Sequence, residues 1–213
     1  MPPGWRLPWL SSPIQSLDFL DTMSIFLALV HFPCLNRRGE VVATALTNVD
    51  IHDLARSGRT FGTAGVYIVT PIDLQLRMIE EILGHWTEGQ GSKHERRAEA
   101  MRRVRGVPSL QDAADDIEKR TGSRPTVVVT GAQMQGQLVS FANLRKQLRE
   151  DDAPVLLVFG TGWGLAPEII ERADLRLPPI ARDPEFADPS GPYNHLSVRA
   201  AVAIALDRLL GDR

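Results

Sequence analysis

A glycine-rich stretch, GTGWG at residues 160–164, directly follows the apolar run VLLVF. Glycines in such a position let a ligand approach the main chain closely, so that its N–H and C=O groups can bind it. The stretch is not a nucleoside-triphosphate P-loop, because that motif ends in Gly-Lys-Ser/Thr and no lysine is present here. It also fails the dinucleotide fingerprint GxGxxG, because Trp163 alone separates the last two glycines. Without further support, two ordinary turns explain the glycines equally well.

Basic residues are concentrated between Lys93 and Arg105, in a chain whose net charge is −2. They predict a local positive surface that could neutralise RNA phosphates. The nearby pair His85–Trp86 could contact an unstacked base, because bases stack on aromatic rings. The alternatives are a solvated amphipathic helix for the charges and a helix end packed on the core for the aromatic pair. The candidate RNA-binding residues are Lys93, Arg96, Arg97, Arg102, Arg103, His85 and Trp86.

The composition is ordinary for a soluble protein, with 43% hydrophobic and 23% charged residues among 213. A lone cysteine, Cys34, excludes an internal disulfide and a cysteine-built zinc site. No spacing of histidines and carboxylates indicates a metal site, and no apolar run reaches the roughly 18 residues of a membrane span. We expect a cytoplasmic protein in which residues 1–22 are a poorly ordered N-terminal extension and residues 23–213 form a single domain.

Short apolar runs rich in β-branched residues alternate with longer helical patterns. Strands that are apolar throughout and separated by helices predict an α/β fold, with a mostly parallel sheet and helices on both faces. The predicted strands are 24–30, 65–71, 126–132, 155–162 and 174–180. The predicted helices are 48–62, with Asn48 or Asp50 as its N-cap, and 74–86, 94–104, 110–122, 134–150, 165–173 and 193–211.

Three loops follow consecutive strands in the second half of the chain, at 130–133, 160–164 and 177–186. Ligands of parallel α/β sheets bind beyond the carboxyl ends of the strands. These loops are therefore expected to form one site, together with the polar residues before the last helix, where main-chain N–H groups lack helical partners.

Four segments carry a family resemblance: TNVDIHDLARSGRTFG (47–62), GTGWGLAPEII (160–170), LRLPPI (175–180) and YNHLSVRAAVAIALDRL (193–209). Together they resemble the SPOUT superfamily of knotted methyltransferases. The match is best to a bacterial family of SAM-dependent RNA methyltransferases that is sometimes fused to tRNA guanine-N1 methyltransferase. The resemblance extends over roughly residues 24–211. It implies a deep C-terminal trefoil knot and a homodimer with the knotted region at the interface. The apolar face around Val198, Val202 and Leu206 suits that interface or plain core packing.

The resemblance also implies the cofactor, S-adenosyl-L-methionine (SAM), held in a bent shape by the loops of the knot. Main-chain groups would read the adenine edges, while Leu177, Pro178 and Ile180 would form an apolar floor. Leu196 and Ser197 would close the pocket from the last helix. The implied cofactor-binding residues are Thr130, Gly131, Phe159, Gly160, Thr161, Gly162, Gly164, Leu177, Pro178, Ile180, Asn194, His195, Leu196 and Ser197.

Arg56 and Asp50 are the candidate catalytic residues. In SpoU-like relatives an Asn and a following Arg lie near the methyl acceptor, and a Gly follows the Arg, as Gly62 follows Arg56 here. Asp50 departs from that pattern because it stands where the relatives have Asn. A carboxylate there could accept a proton from a ribose hydroxyl or a base nitrogen, whereas helix capping and a solvated arginine are the alternatives.

The expected function is SAM-dependent methylation of RNA, with tRNA as the expected class. One alternative is a SAM-binding knotted module that docks RNA or a partner enzyme without its own methyl transfer, which Asp50 in place of Asn would favour. A second alternative is an unrelated nucleotide-binding α/β enzyme.

Overall fold

The computed structural model describes residues 24–186, 191 and 193–212, so the expectation for residues 1–22 lies outside the described residues. Its centre is a six-stranded sheet in which every pair of neighbours is parallel, in the order β5-β4-β1-β7-β6-β8. A separate antiparallel pair, β2 and β3, follows β1. The strands are β1 (Ile25–Val30), β2 (Cys34–Leu35), β3 (Val41–Val42), β4 (Gly65–Val69), β5 (Val104–Val107), β6 (Thr126–Thr130), β7 (Val155–Gly160) and β8 (Leu175–Arg176).

Seven α-helices occupy the described residues. They are α1 (Asn48–Thr60), α2 (Asp73–Thr87), α3 (Glu95–Met101), α4 (Leu110–Thr121), α5 (Phe141–Glu150), α6 (Pro167–Arg172) and α7 (Val198–Leu210). Two 3-10 turns lie at Gln90–Lys93 and Pro184–Phe186. The predicted α/β fold is confirmed.

Helices cover both faces of the sheet, which explains why β1 is apolar at every position. Ile25, Leu27 and Leu29 pack in one core with α1, α2, α3, α5 and α7. Phe26 and Ala28 pack on the opposite face, with α4 and α6. Successive side chains of a strand point to opposite faces, so a central strand buried on both sides needs a continuous apolar run.

The last helix contributes to the core of this chain. Val202 and Leu206 are fully buried and pack against the sheet, and α7 contacts both α1 and α5. Core packing therefore accounts for these two positions. Val198, at the first position of α7, is half-buried.

Three predicted helices are wrong in extent. The helix predicted at 134–150 begins only at Phe141, because Gly136 has a left-handed φ of 89° and Ser140 caps the helix, accepting a hydrogen bond from the N–H of Asn143. The helix predicted at 193–211 begins at Val198, behind the N-cap Ser197. Side chains of this type compete for main-chain donors and so favour helix starts.

The third correction concerns 94–104, where the helix ends at Met101 and an unpredicted strand, β5, follows. Its sequence VRGV lacks the continuous apolar run of the other strands, and only Val104 and Val107 are buried. As the edge strand beside β4, β5 can carry polar positions that a central strand cannot.

Within the described part of the chain, none of the helices combines the length and apolarity that crossing a membrane requires.

Candidate active site

A cleft of about 1160 Å³ lies where β1, β7 and β6 end. Its walls come from the segment after β1, the first turn of α1, the loops after β7 and β6, and the residues before α7. The lining includes most of the predicted cofactor-binding residues: Thr130, Gly131, Phe159, Gly160, Thr161, Gly162, Gly164, Ile180, Asn194, His195, Leu196 and Ser197. The structure thus brings together residues that the resemblance selected from distant segments.

Leu177 and Pro178 are the predicted cofactor residues that do not line this cleft. Leu177 is 1% exposed and belongs to the core, and its N–H donates to the carbonyl of Val129 at 2.9 Å. It therefore lies beneath the site. The apolar surface on this side of the cleft comes from Ile180, and a role for Leu177 and Pro178 in an adenine floor stays a prediction.

The glycine loop after β7 is clamped onto the β1 side of the cleft. The N–H of Leu35 donates to Gly164 O at 2.9 Å, and the N–H of Trp163 donates to Leu35 O at 3.0 Å. Within the loop, the N–H of Gly164 donates to Thr161 O at 3.0 Å. The loop is therefore held by main-chain bonds on both sides of Trp163.

The glycines of this loop are required first by the turn itself. Gly162 and Gly164 have left-handed φ values of 61° and 109°. A Cβ on Gly162 would lie 3.0 Å from Leu35 O, and one on Gly160 would lie 2.7 Å from the nitrogen of Leu165. A Cβ on Gly164 would meet nothing within 4 Å. Contacts within the protein therefore exclude a side chain at Gly160 and Gly162, whereas the space beside Gly164 is open.

Asp50 lies in the cleft lining and is 5% exposed. Arg199 Nη1 donates to its Oδ1 at 2.7 Å, and Thr47 Oγ1 donates to its Oδ2 at 2.5 Å. The N-cap of α1 is Thr47, and Asp50 is the third helical residue of a capping box. The prediction of Asn48 or Asp50 as the N-cap is therefore wrong. Both carboxylate oxygens of Asp50 already accept hydrogen bonds, so the geometry assigns this side chain a structural contact.

Arg56 is exposed on α1 and does not line the cleft of this chain. The two candidate catalytic residues therefore do not meet within one chain. The catalytic role of each stays a prediction.

A family of proteins described as SAM-dependent RNA methyltransferases matches residues 24–211, from the residue before β1 to the residue after α7. The chain belongs to this family. The resemblance inferred from the sequence is thereby confirmed, and SAM is the cofactor of this RNA methyltransferase.

Two curated relatives of the methyltransferase are named tRNA (guanine-N(1)-)-methyltransferase. The protein of Oleidesulfovibrio alaskensis is 48% identical over 190 residues, and that of Nitratidesulfovibrio vulgaris is 46% identical over 204. The matches cover 89% and 92% of this chain but only 42% and 46% of those proteins, so it spans less than half their length. An uncharacterized protein of Aquifex aeolicus is 38% identical over 187 residues, which cover 87% of this chain and 88% of that protein.

Solved structures share the fold at low identity. A probable methylase family protein from Haemophilus influenzae superposes with a TM-score of 0.56 at 18% identity, covering 87% of this chain and 64% of that one. The SpoU methyltransferase AviRb from Streptomyces viridochromogenes, in complex with AdoMet, gives 0.54 at 17% identity, covering 93% and 62%. The Aquifex aeolicus TrmH/SpoU tRNA modifying enzyme gives 0.52 at 18% identity, covering 89% and 75%. Such identities show the fold alone.

The cleft of the methyltransferase fits a nucleoside cofactor. The N–H groups of Gly162 and Leu196 donate to no other described residue, so they can bind a ligand. Ile180 and Leu196 add apolar surface, and Leu196 is 46% exposed, whereas Phe159 in the lining is 2% exposed and belongs to the core. Small-molecule sites are mostly apolar with a few oriented polar groups, as this cleft is. When bound, SAM would supply a methyl group attached to a positively charged sulfur. An acceptor atom can bond to the methyl carbon while the sulfur leaves as part of S-adenosylhomocysteine.

His31 is a cleft residue that sequence reasoning missed, although it directly follows a strand. It is 1% exposed, and its Nδ1 lies 2.9 Å from Thr44 Oγ1, which in turn lies 2.5 Å from Thr161 Oγ1. Its buried Nε2 has no hydrogen-bond partner among the described residues. Burial lowers the pKa of His31 below its ordinary 6.5, while the nearby carboxylate of Asp50 acts in the opposite direction.

The basic cluster of the methyltransferase divides into two groups. Lys93, Arg96, Arg97 and Arg102 are exposed, and Arg103 is half-buried. Arg97 stacks over the Trp86 ring, with its guanidinium carbon 4.8 Å from the ring centroid, and Arg103 Nη1 donates to Thr63 O at 2.8 Å. Part of the cluster therefore supports the fold, and part faces solvent.

Trp86 is already surrounded by side chains of the same chain. The rings of His52 and His85 meet it edge-on, with centroids 5.3 and 5.2 Å away. The three line a small hollow of about 350 Å³, separate from the main cleft. Trp86 therefore packs as a helix-end residue would, and base contact by His85 or Trp86 stays a prediction.

Proposed function

We propose that this methyltransferase acts on tRNA, in the cytoplasm, and that the cleft at the ends of β1, β7 and β6 is where SAM meets the acceptor nucleotide. The observation that carries the proposal is the convergence of the segments 130–135, 160–165 and 194–198 on one cleft, in a chain of this family. The tRNA class is supported by the names of two relatives. Because the chain spans less than half of each, the guanine-N1 chemistry of those names is not carried over.

The proposed cofactor contacts use the main chain as much as side chains. The free N–H groups of Gly162 and Leu196 would hold polar edges of the nucleoside, and Ile180 would contact its ring. Leu196 precedes the N-cap Ser197, so its N–H lies outside the hydrogen-bond ladder of α7. Ser197 Oγ accepts from the N–H of Ala200 at 3.2 Å and so satisfies one of the first N–H groups of the helix itself.

Methyl transfer from a sulfonium needs an acceptor atom aligned with the methyl carbon, so positioning is the main task of the site. The cleft exceeds the upper end of the usual range for small-ligand pockets, about 1,000 Å³, which leaves room for an acceptor nucleotide beside the cofactor. The exposed cations Lys93, Arg96 and Arg102 would bind phosphates further along the RNA.

The trefoil knot and the homodimer also belong to this proposal. The knot is supported by the fold shared with SpoU methyltransferases. In a dimer, the exposed Arg56 could reach the cleft of the second chain. Sedimentation velocity of the purified full chain tests the dimer directly.

The deciding experiment pairs binding with transfer. Calorimetry should give a signal with SAM and S-adenosylhomocysteine but not with ATP or NAD. Label from methyl-labelled SAM should then enter tRNA taken from a strain that lacks the gene, and mass spectrometry of its nucleosides would identify the modified position. Cofactor binding without incorporation into any RNA fraction would contradict the proposal and support a docking module. Tighter binding of ATP or NAD than of SAM would contradict the assignment of this cleft as the SAM site.

A further inference from the structure

Trp163 is a large apolar residue whose side chain is exposed to solvent. It is 54% exposed, it lines the main cleft, and it stands between two glycines that have no side chains to cover it. Isolated exposed apolar residues are common, but this one projects from a loop of the candidate active site. Neither core packing nor the turn geometry explains an indole at this position.

The loop holds Trp163 in a fixed place. Its N–H donates to Leu35 O at 3.0 Å, and the next residue, Gly164, accepts from the N–H of Leu35 at 2.9 Å. Thr161 Oγ1 donates to Val30 O at 3.0 Å, and Cys34 forms an isolated bridge with Leu165. An indole presented on so anchored a main chain loses little conformational freedom when a ligand stacks on it.

The strand order places Trp163 on one side of the cleft. β7 lies between β1 and β6 in the sheet, and its loop is bonded to the segment after β1. Of the proposed cofactor contacts, Thr130 ends β6, Gly131 follows it and Ile180 follows β8, on the other side, whereas Gly162 directly precedes Trp163 in the same loop. The main chain of Trp163 therefore lies on the β1 side of the cleft, whose lining includes His31, Leu35 and Thr44.

Positive charge lies near this side of the cleft, on two arginines that are not among the residues lining it. Arg37 and Arg38 are exposed in the turn that joins β2 to β3, within three residues of Leu35, to which the Trp163 loop is bonded. An aromatic platform beside cations is the combination that binds single-stranded nucleic acid, because the ring stacks on a base while the cations neutralise phosphates.

We propose that Trp163 is the platform on which a base of the acceptor RNA stacks. The inference rests on the proposed function, since it assumes that RNA enters this cleft. Stacking on an aromatic side chain is sequence-tolerant, so Trp163 orients the nucleotide without selecting it. It is a positioning residue for methyl transfer.

The test is tryptophan fluorescence of the full chain, saturated with S-adenosylhomocysteine and titrated with tRNA from a strain that lacks the gene. We expect quenching in the wild-type chain and loss of that quenching in Trp163→Phe. Trp163→Ala should weaken tRNA affinity roughly 10- to 100-fold. Trp163→Phe should recover most of the affinity, because it keeps an aromatic face, whereas Trp163→Leu should not.

Leu74→Ala is the matched control, because Leu74 is 74% exposed and lies outside the cleft. It should leave tRNA affinity unchanged. Calorimetry should give the same S-adenosylhomocysteine affinity in wild type, Trp163→Ala and Trp163→Leu.

Three results would overturn the inference. In the first, S-adenosylhomocysteine alone quenches Trp163 and Trp163→Ala loses cofactor affinity, so that the ring stacks on the cofactor. In the second, Trp163→Ala changes the oligomeric state but not the tRNA affinity, so that the ring covers a second chain. In the third, Trp163→Ala binds tRNA as the wild type does. Methyl incorporation by the wild-type chain is scored separately, so failure of the proposed function is distinguishable from failure of this inference.

Discussion

Arg199 of α7 and Asp50 of α1 form an ion pair, with Arg199 Nη1 2.7 Å from Asp50 Oδ1. Arg199 Nε also lies 3.4 Å from Asp53 Oδ2. A cation in the first turn of a helix is unfavourable toward the helix dipole, and here two carboxylates of α1 offset it. The pair fixes the start of α7, where Asn194–Ser197 reach the cleft, against the helix that carries the candidate catalytic residues.

The first prediction follows from this pair. Asp50→Asn removes the charge that faces Arg199 and should reduce the free energy of unfolding by about 1–2 kcal/mol, with solvent around the partly exposed Arg199 keeping the loss at the lower end. It should also weaken S-adenosylhomocysteine binding, because the start of α7 is less firmly held. Asp53→Asn is the matched control, and its more exposed, longer contact should change both quantities little. A large fall in kcat with unchanged stability and cofactor affinity would instead identify Asp50 as a general base.

The second prediction separates two roles of Gly162. Gly162→Ala and Gly39→Ala both place a Cβ at a left-handed φ, 61° and 78°, which costs roughly 1–2 kcal/mol. A Cβ on Gly39 meets nothing within 4 Å, whereas one on Gly162 crowds Leu35 O and Thr44 Cγ2. Chemical denaturation should show a larger loss for Gly162→Ala, and calorimetry should show weaker cofactor binding for that variant alone. If both variants lost equal stability and equal cofactor affinity, the loop after β7 would not be part of the cofactor site.

The third prediction concerns acid stability. Burial lowers the pKa of His31 in the folded chain below 6.5, so the unfolded chain binds more protons as the pH falls through that value. Stability should therefore be lost from about pH 6.5 down to the lowered folded pKa, and not further below it. His31→Asn can keep the hydrogen bond to Thr44 and should flatten the dependence of the unfolding midpoint on pH between 7.5 and 5. Some slope should remain, because burial also lowers the pKa of His52. An unchanged slope would show that His31 is not the group responsible.

The fourth prediction concerns the salt dependence of RNA binding. Replacing Lys93, Arg96 and Arg102 with Gln should weaken tRNA affinity and reduce the slope of log affinity against log salt by up to about 2–3. The matched control replaces Lys119, Arg124 and Lys146, which are also exposed and give the same change in net charge. Equal losses in the two triple variants would mean that the basic cluster is an ordinary solvated surface.

The fold class and the family were predictable from the amino-acid sequence. Short continuous apolar runs such as Val155–Phe159, bounded by turn residues, favour central strands covered on both faces, and the spacing around Ile51 and Leu54 favours an amphipathic helix; the structure has both. The edge strand β5 was missed because an edge position imposes no apolar pattern, and the start of α7 was misplaced because Ser197 caps a helix within a polar segment. Hydrophobic patterns in the sequence reflect which side chains are buried, so they predict an element well only where that element is strongly buried.

The contacts of the site residues, in contrast, depend on how distant segments pack together. The pair of Asp50 with Arg199 spans 149 positions, and the contact between Thr44 and Thr161 spans 117. No local pattern encodes such contacts, because they depend on the strand order that places β1 beside β7. The same order presents His31 and Trp163 in one cleft, although neither stands out by its spacing in the chain.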